Sequence, residues 1–506
     1  MTRSIHGMSR FDIFMKSCVD GSAPAAHPPL EQHFGYLLPN SKTNANTGPN
    51  ELTGQGLSFE KIATAFEELV DTMRTEEPDK GPADAGMTFF AQFVDHDITL
   101  DATSTIGKKV NPASIRNVRT PGLDLDCVYG DGPEASPHLY SPDHGGFLLF
   151  GTDAHDKDLA RNCKGTALIG DPRNDENILV SQIQGAFITL HNILMSAVEE
   201  EGPEKDAVKE CGNAVPKHVW MNAVKPELED FEHVRLFLRL HYQHIILHEM
   251  LPDFIDQACI DAALAHDIFG ADAPIMPVEF SVAAFRFGHA TVQQEYKLTK
   301  TGDPVPLFAG MRGFRARTAA DDIEMRMFFD VAGTAAQKAR PVGPKMAAEL
   351  FALPAPIVTK GETFGDFQIS KESARKLGLR NILRDRGAIR CASGQQVARW
   401  LAANHPSLGV KELPAPDALK AHHITKTPLW FYCLQEATKS KKLTGVGGLI
   451  VASVFARLLK MDQESILHVD FKPWSGFGEK FTMGNMMKWM EDHRGHVKHK
   501  DDLRCG

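Results

Sequence analysis

Apolar positions recur at helical spacing along most of the chain beyond residue 57. From Phe59 to Arg74, residues Ile62, Phe66, Leu69, Val70 and Met73 fall on one stripe, the mark of an amphipathic helix. The same periodicity predicts helices over 86–100, 173–199, 229–250, 279–297, 394–404, 429–438, 446–460 and 482–492. Alternating strand patterns are rare and short, for instance over 146–151. No repeat of about 20–50 residues is visible. Breaker-rich stretches at 22–29 and 40–50 predict an irregular N-terminal arm over 1–56. No Gly/Ser linker divides the remainder. The pattern therefore predicts one large, mainly α-helical domain over 57–500, with few short strands and long functional loops.

One apolar run, Met87 to Leu100, breaks its own rule. Gln92-Phe93-Val94-Asp95-His96-Asp97 places three ionisable groups inside it, and a buried charge needs a partner or a cofactor. On a helix Gln92 and His96 share a face, and Asp95 and Asp97 sit about 100° to either side of His96. A histidine in an apolar wall suits general acid–base chemistry near neutral pH. A partly exposed helix with a solvated acidic edge would give the same pattern.

Composition narrows the class. The 506 residues are 42% hydrophobic and carry a formal charge of −10, with 65 acidic against 55 basic side chains. That core is ample, and the charge argues against nucleic acid and anionic membranes as partners. The N-terminal stretch shows no apolar signal segment. No run approaches the roughly 18–20 apolar residues of a membrane span. The eight cysteines are scattered without a CxxC pair, which predicts free, mostly buried thiols. A cytoplasmic location is the default expectation, with non-classical export the alternative.

Four further stretches could carry chemistry. In Thr120-Pro121-Gly122-Leu123-Asp124-Leu125-Asp126 oxygen donors recur at alternate positions, as a hard cation such as calcium requires, though without the EF-hand pattern. An acidic surface turn is the alternative. In Gly170-Asp171-Pro172-Arg173-Asn174-Asp175-Glu176-Asn177, Asp171 is a plausible N-cap and Pro172 a plausible first helical residue. Arg173 and Glu176 then share a face, either as a local ion pair or with the arginine aimed into a cavity. In Phe285-Arg286-Phe287-Gly288-His289, the glycine costs helix stability by roughly 1 kcal/mol, which makes sense if something flat packs against the backbone. A satisfied core histidine is the other reading of His289. In 379–387, Asn381 and Arg384 alternate with leucines, as buried hydrogen-bonding residues or as an exposed basic turn. His241, His244 and His248 have helical spacing but lack the HExxH arrangement, so a packed helix is expected there.

Taken in order, these stretches resemble the animal-type haem peroxidases of the peroxidase–cyclooxygenase superfamily, in particular their compact bacterial members. The resemblance runs from about Gly86 to Leu459, with smaller echoes at Val128-Tyr129-Gly130, Pro428-Leu429-Trp430 and Gly445-Val446-Gly447-Gly448. It implies haem b held by His289 as the iron ligand. Asn381 would be bonded to that ring's other nitrogen, and Arg384 and Arg286 would be close to the cofactor. It implies His96 as the distal histidine, Arg173 as the distal arginine and Gln92 as a residue that positions peroxide or halide. Calcium would be bound by Asp97, Thr120, Gly122, Asp124 and Asp126.

The departures are informative. Asp95 and Glu176 stand where mammalian members form ester bonds to haem methyls, so such bonds are open to this chain. Asn177 replaces the methionine of a third, sulfonium link. Arg286 occupies the place, three residues before the proximal histidine, of the radical-bearing tyrosine in the fatty-acid oxygenase branch. The resemblance thus implies a peroxidase that takes hydrogen peroxide and a small electron donor. A fatty-acid dioxygenase and a non-catalytic binding protein of the same fold are the rival expectations.

Overall fold

The computed structural model describes residues 34–38, 56–100, 112, 115, 117, 119, 121–199, 228–331, 333–355 and 357–505. Most of the expected 1–56 arm, and Thr120, lie outside the described residues. Helices dominate: 48% of the described residues are helical.

Helix α1 (Phe59–Asp71) starts where the Ser58 hydroxyl accepts the Lys61 N–H and buries Ile62, Phe66, Leu69 and Val70. Helix α2 (Ala85–Ile98) is buried almost all round, with only Gln92 and Asp95 partly open. His96 is 5% exposed and Asp97 fully buried, which excludes the solvated acidic edge. Phe93 of α2 stacks on Phe187 of α3 (Ile178–Val198), centroids 5.2 Å apart and planes 7° apart. Contrary to expectation, α3 is long and apolar enough to cross a membrane, but the relevant window is entirely buried in the protein. A buried core helix passes that test as readily as a membrane span.

The helix expected from 173 begins only at 178. Residues Pro172–Asp175 form a 3₁₀ turn capped by Asp171, whose Oδ1 accepts the Arg173 N–H at 2.8 Å. The chain then pairs with 311–314: Gly313 N donates to Glu176 O, and Ile178 N to Met311 O. Those contacts hold Asn177 extended, and its side chain caps α3 instead. Helix α4 (Phe231–Ile245) runs on through a π turn, Ile246–Met250. Helix α5 (Gln257–Ala265) follows.

The single helix expected over 279–297 is not formed. The chain makes a π turn (Glu279–Ala283), a 3₁₀ turn (Ala284–Phe287), one α turn (Gly288–Thr291) and then a strand (Glu295–Lys297). Changing the hydrogen-bond spacing lets Phe280 and Phe285 stack at 4.7 Å in the core while Arg286, Gly288 and His289 line a cavity. Beyond it come α6 (Leu377–Ile382), α7 (Gly394–Asn404), α8 (Leu429–Glu436), α9 (Gly445–Met461) and α10 (Met483–His493).

Among the described residues, sheets are two-stranded pairs of two or three residues each. The strand expected over 146–151 is absent, and only isolated bridges, Tyr140 to Leu148 and Phe150 to Leu159, occur there. The described cysteines are free, and Cys127, Cys259, Cys391 and Cys433 are buried. His241 is a satisfied core residue: Nδ1 donates to Phe237 O, and Nε2 accepts the Trp474 N–H at 2.9 Å.

Candidate active site

A cavity of about 560 Å³ lies between α2 with the 172–176 turn on one side and the 279–291 segment with α6 on the other. It gathers Gln92, Asp95, His96, Arg173 and Glu176 from the first group, and Arg286, Gly288, His289, Asn381 and Arg384 from the second. Residues up to 292 apart in sequence are thus brought to one chamber.

His96 presents its ring from the last turn of α2. Its Nδ1 lies 2.7 Å from Oδ1 of Asn174. Burial first, then Arg173, pulls its pKa down to about 4, so the ring is neutral near pH 7. Arg173 is fixed from below: Asp171 accepts from its Nε at 3.1 Å and from its Nη2 at 2.8 Å. Its Nη2 also donates to the His96 carbonyl at 3.1 Å. Asp171 meets a second cation, Arg119, at 2.7 Å, and the two arginines outweigh burial to hold its pKa below the usual carboxylate range. The Gln92 amide donates to the Glu176 carboxylate. Burial, the largest influence on Glu176, raises its pKa to about 7. Asp95 accepts from the Thr99 hydroxyl at 3.0 Å.

On the other side the Asn381 amide meets Nδ1 of His289 at 2.8 Å. As placed, Nδ2 faces the ring. Half a turn of the amide, which preserves its shape, lets Oδ1 accept from Nδ1–H and leaves Nε2 a lone pair. Burial, then Arg286 and Arg384, pulls the His289 pKa down to about 3, the neutral form a metal ligand needs. A Cβ built at Gly288 meets nothing within 4 Å, so the backbone there faces open space. Arg286 is anchored by Nε donating to Ser281 O at 3.0 Å.

Behind α2 the acidic loop closes on Asp97. Its Oδ2 accepts from Leu125 N (3.2 Å) and the Tyr242 hydroxyl (3.0 Å), and Oδ1 accepts from Cys127 N (3.3 Å). Ligand oxygens of Asp97, Asp124 and Asp126 lie within 4.8 Å of one another. Leu123 and Leu125 adopt left-handed φ of 51° and 62°, an unfavourable state for leucine that surrounding contacts must hold. Gly122 stands in the same loop. Asp126 also meets Arg119 at 3.4 Å.

Asn174, Gln184, Arg119 and Tyr242 orient these residues, although no role for any of them is legible in the sequence. Gln184 and Tyr242 are single polar residues inside helices, Asn174 is one of several polar residues in the 170–177 stretch, and Arg119 lies outside every motif.

Comparison with known proteins agrees with this architecture. The animal haem peroxidase family model matches residues 102–312. That stretch is about two-fifths of the chain, and over it the sequence is similar to the animal haem peroxidase family. The matched stretch contains Arg173 and His289, while His96 and Asn381 lie outside it. Peroxidase A from Dictyostelium discoideum has a similar fold, with a TM-score of 0.55 and 14% identity over 85% of this chain and 89% of that one. The fatty acid alpha-dioxygenase of Oryza sativa aligns with a TM-score of 0.54 and 14% identity over 90% and 79%. No curated protein matches the sequence.

The animal haem peroxidase family implies haem, and the residues present fit it. The cavity offers a neutral imidazole, an open glycine face beside it for a flat ring, and two arginines, Arg286 and Arg384, for carboxylate groups.

Proposed function

We propose that this chain is an animal-type haem peroxidase domain that acts as a peroxidase. It would reduce hydrogen peroxide and oxidise small donors such as phenolics, iodide, bromide or thiocyanate. The observation that carries the reading is the neutral His96 beside a clamped Arg173 in the chamber that also holds His289.

Haem, when bound, supplies the redox-active iron. The chain supplies the rest. His289 would hold the iron through Nε2, with Asn381 against Nδ1 orienting its ring. Nε2 of His96 takes the proton of the incoming peroxide and returns it to the departing oxygen. The Arg173 guanidinium, held by Asp171, meets the negative charge that develops on that oxygen. Gln92, held by Glu176, positions peroxide or halide. Asp95 and Glu176 are the carboxylates on the wall available for ester links to haem methyls. Calcium is the proposed occupant of the Asp97, Asp124 and Asp126 cluster.

The test is a purified sample grown with ample haem. A Soret band with peroxide-dependent donor oxidation supports the reading, and absence of the band defeats it. Acidic solvent extraction separates attached from free haem.

A dioxygenase acting on fatty acids is the second reading, favoured by the likeness to the Oryza sativa fatty acid alpha-dioxygenase and by apolar wall residues such as Phe89, Leu100 and Phe285. Against it, no tyrosine is among the described residues lining the cavity, and Arg286 stands three before His289. Oxygen uptake with palmitate or linoleate, without peroxide, would reverse the order of the two.

A further inference from the structure

His96 does not end its hydrogen bonding at Asn174. Asn174 Nδ2 donates to Gln184 Oε1 at 2.8 Å, and Gln184 Nε2 donates to the Cys127 carbonyl at 3.2 Å. Asn174, Gln184 and Cys127 are each 0% exposed. The line of contacts therefore starts in the acidic loop, crosses α3 and ends on the ring.

The polarity of this line has one fixed end. A backbone carbonyl only accepts, so Gln184 must turn its NH₂ toward Cys127. That leaves Gln184 only its oxygen for Asn174, which must donate. Asn174 is then left only its oxygen for His96, so Nδ1 must be the donor. Reversing any one amide would set donor against donor or acceptor against acceptor in a buried site, leaving polar groups without a partner.

We infer that Asn174 and Gln184 are positioning residues that lock the His96 proton on Nδ1, with the Cys127 carbonyl as the fixed reference. The consequence is that Nε2 is the ring atom that offers a lone pair to the cavity. The functional meaning of that lone pair rests on the peroxidase reading, whereas the tautomer itself does not. Cys127 also donates its N–H to Asp97 Oδ1 at 3.3 Å. One peptide segment thus grips the acidic cluster through its nitrogen side and sets the histidine through its oxygen side. This arrangement gives Gln184 a role although it does not touch His96.

The test reads the tautomer directly. Protein labelled with ¹⁵N-histidine is recorded by long-range proton–nitrogen correlation, as purified and as its diamagnetic ferrous carbon monoxide complex, with His96→Gln identifying the signal. The expected pattern is one protonated Nδ1 and one unprotonated Nε2. Asn174→Leu should lose that pattern. Gln184→Leu should convert it to a mixture of tautomers, while the remaining histidine signals stay in place. A wild-type ring protonated on Nε2 overturns the inference with no variant needed. A Gln184→Leu protein that folds and keeps the wild-type pattern overturns it as well. Failure of donor oxidation with the expected tautomer intact would count against the peroxidase reading alone.

Discussion

The Tyr242 hydroxyl donates to Oδ2 of Asp97 at 3.0 Å, tying α4 to the end of α2 across 145 residues of sequence. The carboxylate it holds is buried beside Asp124, and burial followed by that neighbour raises its pKa to about 6. Clustered buried carboxylates are costly unless a cation joins them. Calcium should therefore raise the melting temperature of chelator-treated protein, and Asp124→Ala should remove the calcium-dependent part. Tyr242→Phe should cost about 1.5–3 kcal/mol, the usual worth of a hydrogen bond to a charged group. Scanning calorimetry with and without chelator measures all three. Equal melting temperatures with and without calcium would leave the loop an acidic turn.

Arg173 is held at Nε and Nη2 by a carboxylate that Arg119 also grips. Its position is thus set before any substrate arrives. Arg173→Ala in haem-loaded protein should slow peroxide consumption by roughly 10²–10³-fold, the scale for losing one preorganised charge partner. Asp171→Asn keeps shape and removes charge, so it should give a smaller loss in the same direction. Stopped-flow rates against peroxide concentration decide this. An unchanged second-order rate in Arg173→Ala would remove the arginine from the mechanism.

His289→Ala should abolish the Soret band, because no other described histidine than His96 lines the cavity. Asn381→Leu removes the partner 2.8 Å from Nδ1 while leaving the ligand. It should keep haem but shift the reduction potential upward, since a hydrogen-bond acceptor on the far nitrogen makes imidazole a stronger donor. Spectroelectrochemical titration reads the shift. An unchanged potential would mean that the amide contributes no acceptor.

Elements that bury a single apolar stripe were legible in the sequence. The helix expected over 394–404 has those bounds, and that over 446–460 spans Gly445–Met461. Elements shaped by distant backbone were not. The turn at 172–176 is held off the helix by pairing with 311–314, and 279–297 changes its hydrogen-bond spacing to serve core and cavity at once. Asp95, His96 and Asp97 stood out because charge inside an apolar run is a local anomaly, whereas the roles expected of Arg173, His289 and Asn381 came from the resemblance to the haem peroxidases. Asn174 and Gln184 were not legible, since an amide earns its role only from partners 78 and 57 residues away.

The Glu436 carboxylate accepts the N–H groups of Val446 and Gly447, both at 3.1 Å, at the start of α9. Those bonds favour its charged form, yet burial outweighs them and lifts its pKa to about 8. A carboxyl whose pKa is higher folded than unfolded keeps its proton in the folded state over the interval between the two values. Stability therefore falls as pH rises from about 4.5 to about 8, by up to about 1.4 kcal/mol per pH unit for this one group, and levels off above. Glu436→Gln carries no proton to lose and still offers one oxygen to the helix end. Urea unfolding at pH 5, 6.5 and 8 should show the wild type losing ground to the variant as pH increases. A difference between the two that stays constant over this range would mean that the carboxylate is already charged in the fold.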